Sequence, residues 1–155
     1  MKKALYIFWQ CTWGFLQSFM GLCLFLRHVK DPHTFYHGAV VTHWQQSGSI
    51  SLGLFVFVAP GPGYVSPSQG TFTKEELSSR LLVHEYGHTI QSLVLGPLYL
   101  IIIGIPSSLW ANTPRFARMR REKQYSYFRF FTESWANLWG EKVTRQKSME
   151  KLVIS

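Results

Sequence analysis

Residues 84–88 read HEYGH and sit inside the stretch 73–95, TKEELSSRLLVHEYGHTIQSLVL. Thr73, with Glu76 three residues on, forms a capping box, so a helix should open there. Gly96-Pro97 should interrupt it near Leu95. On a helix, residues i and i+4 share one face. His84 and His88 can therefore offer two imidazoles to one tetrahedral ion. Glu85 is turned by about 100° and cannot be a third ligand in the same plane. It can instead reach a water held by the metal. Zinc lowers the pKa of such a water to about 7. Glu85 can then take the proton and pass it to a leaving amine. Gly87, inside the helix, costs about 1 kcal/mol relative to Ala. A glycine there makes sense where another backbone comes close.

A catalytic zinc needs a third protein ligand. Downstream of HEYGH the acids are Glu122, Glu133, Glu141 and Glu150. Glu122 lies in a basic run, and Glu141 and Glu150 lie among Lys and Arg in a polar tail. Glu133 stands in YFRFFTESWANLWG, an otherwise apolar helix, where an unpaired carboxylate would be costly. Ala136, Asn137 and Gly140 continue its face, and their small size predicts close packing on the face bearing Gly87. Asn137, one turn after Glu133, can hydrogen-bond a ligand histidine and fix its ring. Tyr125 and Tyr127 are candidate oxyanion donors.

The 155 residues suit one domain (1–155) with a single core. Charged residues are only 15% and aromatics 16%, against about 25% charged in an ordinary soluble domain. That balance points to membrane association, although a mean hydropathy of +0.01 argues against a bundle made only of spanning helices. The net charge is +8, and ten of the 16 Lys/Arg lie after residue 110. Beside so much apolar surface, anionic headgroups are the expected partner of that basic region. No nucleic-acid signature is present. Cys11 and Cys23, roughly 18 Å apart along a helix, cannot bridge and read as small packing residues.

Residues 4–26 form an apolar run without formal charge, long enough to cross a bilayer of about 30 Å. Gln10, Gly14, Gln17 and Gly21 recur on it at helical spacing, a small polar stripe suited to packing against protein while the rest faces lipid. Residues 31–37 read as a turn or short connection, and the catalytic part should cover 31–147. GAVVTHW at 38–44 and SISLGLFVFVA at 49–59, around QQSG, suggest a β-hairpin, followed by a Pro/Gly/Ser loop at 60–72. Residues 93–111 are apolar but broken at Gly96-Pro97 and Gly104-Ile105-Pro106. They should form a bent, membrane-contacting segment that returns Glu133 to the side of the two histidines. A last helix is expected from Tyr127 to about Lys147. HTFYH at 33–37 has the i, i+4 spacing, but Asp-Pro before it and Gly after it argue against a helix and a second metal.

HEYGH followed by ESWAN resembles the gluzincin pattern of zinc metallopeptidases, with HExxH on one helix and the third ligand on a second. It is most similar to the small and membrane-linked members, the group of the CAAX prenyl endopeptidases and the minigluzincins. The likeness covers about residues 50–140. It implies one Zn2+ held by His84, His88 and Glu133, with Glu85 as general base. Asn137 stands where the family often has Asp. The family also has an edge strand before the zinc helix that holds substrate as an added strand. Residues 50–58, with Leu52, Gly53 and Leu54, are the candidate.

The expected fold is α+β and mainly α: an N-terminal apolar helix, a small hairpin, and a zinc-binding helix packed on a C-terminal helix. The expected function is peptide-bond hydrolysis at or near a membrane, on a peptide or protein substrate. A zinc hydrolase acting on a non-peptide amide, ester or lipid is the first alternative, and a non-catalytic membrane protein the second.

Overall fold

The computed structural model describes residues 3–60 and 72–149. Most of the expected loop at 60–72, and Glu150, lie outside the described residues. The architecture is α+β and mainly α. In chain order it runs α1 (Lys3–Thr12), α2 (Phe15–Arg27), β1 (His33–Tyr36), β2 (Ala39–His43), β3 (Ile50–Leu52), β4 (Phe55–Val58), α3 (Lys74–Leu95), α4 (Ile105–Asn112), α5 (Pro114–Glu122) and α6 (Phe131–Thr144).

α3 begins where the capping box places it, with the Glu76 amide donating to Thr73 Oγ1 at 3.1 Å. The Glu76 carboxylate does not fold back on the cap. It turns forward to Arg80, one helical turn on, at 3.1 Å. α3 ends at Gly96, whose φ of +53° suits glycine. After Pro97 the chain bends by 119° into the segment Leu100–Asn112. Gly104 and Pro106 do not break it again. A π-turn over Leu100–Gly104 runs directly into α4, with Pro106 in the first turn, where its missing N–H has no partner to lose.

α3 and α6 cross at two glycines. A Cβ on Gly87 would run into the carbonyl of Ala136, and one on Gly140 into the carbonyl of Val83. Backbone contact at both points holds the two helices at one fixed separation and angle. The last helix is shorter than expected. Tyr127–Arg129 form a 3-10 turn, and Arg145 closes α6 in the left-handed region at φ +59°.

The sheet differs from the expected hairpin. Its strand order is β1-β2-β4-β3. Residues 33–36 are a strand, not a turn, and pair antiparallel with β2. Gly53 at φ +60° folds the run 50–58 back on itself, so β3 and β4 form the second hairpin. β4 then lies parallel to β2, with Val41 opposite Val56. A four-residue strand buried between two neighbours takes apolar side chains on both faces, and every residue of β4 is buried. Val41, Val56 and Val58 pack with Tyr6, Tyr86 and Ile90 as the main core.

The N-terminal run is two helices, not one. It breaks at Trp13-Gly14, and no single helix among the described residues is long and apolar enough to cross a membrane. The polar stripe faces inward. Gln10 and Gln17 are fully buried. Gln10 Nε2 donates to the Thr89 carbonyl at 2.9 Å, and Gln17 Nε2 to Ser92 Oγ at 2.8 Å and the Gly96 carbonyl at 2.9 Å. Ser92 Oγ in turn donates to Gln10 Oε1 at 3.0 Å. The opposite faces carry Phe8, Trp9, Trp13, Phe15 and Phe19, each about half exposed. Apart from Tyr6, which joins the core, the two helices thus turn polar side chains inward and aromatic ones outward. Cys11 and Cys23 are exposed and unbridged.

Candidate metal centre

His84 and His88 lie on the buried face of α3, one turn apart, with ring centroids 4.8 Å from each other. Glu133, from the first turn of α6, meets them across the glycine crossing. Its Oε2 is 3.1 Å from His84 Nε2 and 3.4 Å from His88 Nε2. All three side chains are buried, and one ligand atom from each lies within 4.8 Å of the others. This group could hold a metal ion. Among the described residues it is the one His/Cys/Asp/Glu cluster of that kind. Of the other histidines, His28 pairs with Asp31 at 2.7 Å and His33 with Thr42 Oγ1 at 3.1 Å.

The hydrogen bonds behind the rings decide what the cluster presents. His84 Nδ1 is 2.8 Å from Asn137 Oδ1, and His88 Nδ1 is 2.7 Å from Gln91 Oε1. Gln91 Nε2 donates to the Thr132 carbonyl at 2.8 Å, which fixes its amide oxygen toward His88. An amide oxygen only accepts, so each Nδ1 carries the hydrogen. Each neutral ring then aims the lone pair of Nε2 at the same carboxylate oxygen. Three acceptors converge on one point, and only a cation between them satisfies all three. Without a metal that cation is a proton. Burial pushes the His88 pKa down, but the Glu133 carboxylate outweighs it and holds the ring at about 9. Burial likewise pushes Glu133 up, and the two histidines overcome it and hold the carboxyl well below its usual range.

The second oxygen of Glu133 is also engaged. Ser107 Oγ donates to Oε1 at 2.6 Å and Thr132 Oγ1 donates to it at 2.8 Å. Oε2 alone is left to face the histidines. Phe128 closes the back of the site, edge-on to His84 with centroids 4.9 Å apart.

A cavity of about 810 Å3 reaches the cluster and is lined by His84, Glu85, His88 and Glu133 together. Glu85 is buried, its Oε2 2.7 Å from the hydroxyl of Ser51 on β3. Leu52 and Tyr127 stand in the cavity wall. Burial, with the Glu133 carboxylate second, pushes the Tyr127 phenol far above its ordinary value, so it stays protonated and can donate. Gly53, Leu54 and Tyr125 are not brought to the cavity. Gly53 and Leu54 form the β3–β4 turn against α2, with the Leu54 amide donating to Ser18 Oγ at 3.1 Å. Tyr125 packs on Trp110, with centroids 6.0 Å apart.

β3 is the edge strand of the sheet and lies along the cavity rim. Ile50 and Leu52 register with Phe57 and Phe55 around a two-residue turn, so their backbone groups face β4 and those of Ser51 face outward. The Ser51 carbonyl already accepts a hydrogen bond from Tyr99 OH at 3.2 Å.

Sequence reasoning missed Ser51, Tyr99 and Ser107, which reach the site from other elements and have no spacing to betray them, and Thr132, which directly precedes Glu133 on α6. Gln91 had a signal, since it lies three residues after His88 on the same helix face. No family model, curated protein or solved structure matches the chain.

Proposed function

We propose that the protein is a zinc-dependent hydrolase that opens a carboxylic amide bond beside a membrane surface, with Glu85 as general base. The observation that carries this reading is the pairing, in one cavity, of a three-acceptor cluster with a separate carboxylate held to one side. His84 Nε2, His88 Nε2 and the Glu133 carboxylate would hold the ion, a donor set that suits zinc and borders the cavity. A zinc ion there supplies a polarised water and an electrophile for the carbonyl oxygen. Glu85, oriented by Ser51, accepts the proton of the attacking water and delivers it to the leaving nitrogen. Tyr127 can donate to the developing oxyanion. Asn137 and Gln91 hold the histidine rings, and Ser107 and Thr132 hold the carboxylate.

Hydrolysis of a peptide bond is supported by the edge strand on the cavity rim and by the gluzincin-like spacing. Hydrolysis of a non-peptide amide or ester is favoured by a different observation: the outward carbonyl of that strand is already taken by Tyr99.

Membrane association is supported by the outward aromatic side chains of α1 and α2 and by exposed Leu98, Ile101, Ile105 and Leu109 on the bent segment. Arg115, Arg118, Arg121 and Lys123, exposed on and just after α5, complement anionic headgroups.

The test is Glu85→Gln in zinc-loaded protein. Zinc content should be unchanged while hydrolysis of quenched peptides or simple acyl anilides falls by about 100-fold or more. Equal activity in the variant would remove Glu85 from the mechanism.

A further inference from the structure

The cavity has a polar floor and apolar walls. Away from the metal cluster its apolar lining includes Met20 of α2, Leu52 of β3, and Leu100, Ile105 and Leu109 of the bent segment, with Ser47, Ser49, Ser108 and Asn112 as polar neighbours. Its volume, about 810 Å3, is that of a site for a drug-sized ligand. Among the described lining residues, His84, Glu85, His88 and Glu133 are the only ionisable acids or bases apart from the two tyrosines. Among the described residues, no charged group besides these lines the cavity to meet a peptide terminus.

The mouth itself lies in the apolar exterior. Met20, Ile105 and Leu109 are 44%, 55% and 55% exposed, so each lines the cavity and also faces outward. Phe19 and Leu16 continue the apolar face on α2, and Ile101 and Ile102 continue it on the bent segment. A substrate dissolved in lipid would pass from that face to the metal along a mainly apolar surface. An extended peptide meets a poorer match. β3 has three residues, only Ser51 turns its backbone outward, and its carbonyl is occupied by Tyr99.

We propose that the substrate is a long-chain acyl amide, received from the apolar face with its chain between α2 and α4 and its amide at the metal cluster. This inference rests on the hydrolase reading above and names its substrate class. Water adds to the acyl carbon, the C–N bond breaks, the nitrogen leaves with the proton carried by Glu85, and the products are a free fatty acid and an amine.

The test uses zinc-loaded full-length protein and straight-chain acyl anilides from acetyl to octanoyl. kcat/KM should rise steeply with chain length, at most about fourfold per methylene, the value for complete burial of a CH2. The same chains as hydroxamic acids read binding instead of turnover, and their affinity should rise in parallel. Leu109→Trp and Ile105→Trp, which fill the mouth, should flatten both series while leaving zinc content unchanged. Flat turnover and flat hydroxamate affinity in the unmodified protein would overturn the proposal. So would a quenched apolar peptide cleaved as fast as the octanoyl anilide. Steep hydroxamate affinity without turnover of any anilide would uphold the acyl-chain cavity and overturn hydrolysis alone.

Discussion

Helix α3 carries two buried polar clusters, and they differ in what they lack. On the side facing α1 and α2, Gln10, Gln17, Ser18, Thr89 and Ser92 interlock. Gln10 and Gln17 each donate to α3, and Ser92 returns a bond to Gln10. Donors meet acceptors there, and the cluster serves as a neutral joint between helices. On the side facing α6, His84, His88 and Glu133 point three acceptors at one another. Buried polar groups normally find partners. In the first cluster they do so within the protein, Gln17 Oε1 excepted, and the three converging acceptors of the second do so only when a cation is present. Buried polarity alone is therefore no sign of a metal site. The direction of the hydrogen bonds behind each side chain makes the distinction.

The contrast can be broken most strongly at the ligands. Glu133→Ala or His84→Ala should weaken zinc binding by more than the roughly 100-fold that loss of a supporting residue costs, while Gln17→Ala should leave it unchanged. Equilibrium titration against a competing chelator measures both. Gly87→Ala attacks the geometry instead. The new methyl meets the Ala136 carbonyl, and overpacking of this kind costs about 1–3 kcal/mol. Denaturant unfolding should show that loss, and zinc affinity should fall with it because the helices that supply the ligands are pushed apart. Asn137→Ala leaves the three ligands in place and removes the partner of His84 Nδ1. Zinc affinity should drop about 10–100-fold. Gln17→Ala sharpens the other side, leaving Ser92 and the Gly96 carbonyl short of a donor. It should cost about 1–3 kcal/mol of stability with no change in metal content.

The smallest effect is a proton. In the metal-free protein His88 titrates at about 9, held up by Glu133 against the opposing effect of burial. At pH 7.5 the ring is therefore protonated, and zinc must displace that proton. Calorimetry in buffers of different ionisation enthalpy should record release of about one proton per zinc from the ligands. Zinc affinity should rise with pH up to about 9 and level off above it. In metal-free protein the sign is opposite for stability: a His88 pKa raised above 6.5 contributes stability that is lost as pH climbs from 6.5 to about 9.

What was legible in the sequence was local or encoded by cost. The capping box marks the start of α3, and a glycine inside a helix marks a close approach, which Ala136 supplies. An acid in an apolar helix marks an obligatory partner, and Glu133 meets two histidines. The inward polar stripe of residues 10–21 followed from helical spacing. The sheet was not legible, because pairing β2 with β4 in parallel is a non-local choice. Gly53 reads as a weak strand residue until its positive φ reveals a turn. His33–Tyr36 has no alternating apolar pattern, so the strand that begins directly after Pro32 leaves little local signal. Isolated serines such as Ser51 and Ser107 have no periodicity, so their part in holding Glu85 and Glu133 appears only in three dimensions.

The central claim is that His84, His88 and Glu133 share one metal ion. X-ray absorption at the zinc edge of the loaded protein tests it most directly. The account predicts one zinc per chain, with two imidazole nitrogens at about 2.0–2.1 Å and a carboxylate oxygen at about 2.0–2.2 Å, and loss of this signature in Glu133→Ala. Sulfur in the coordination shell from Cys11 or Cys23, or an unchanged spectrum in Glu133→Ala, would contradict it.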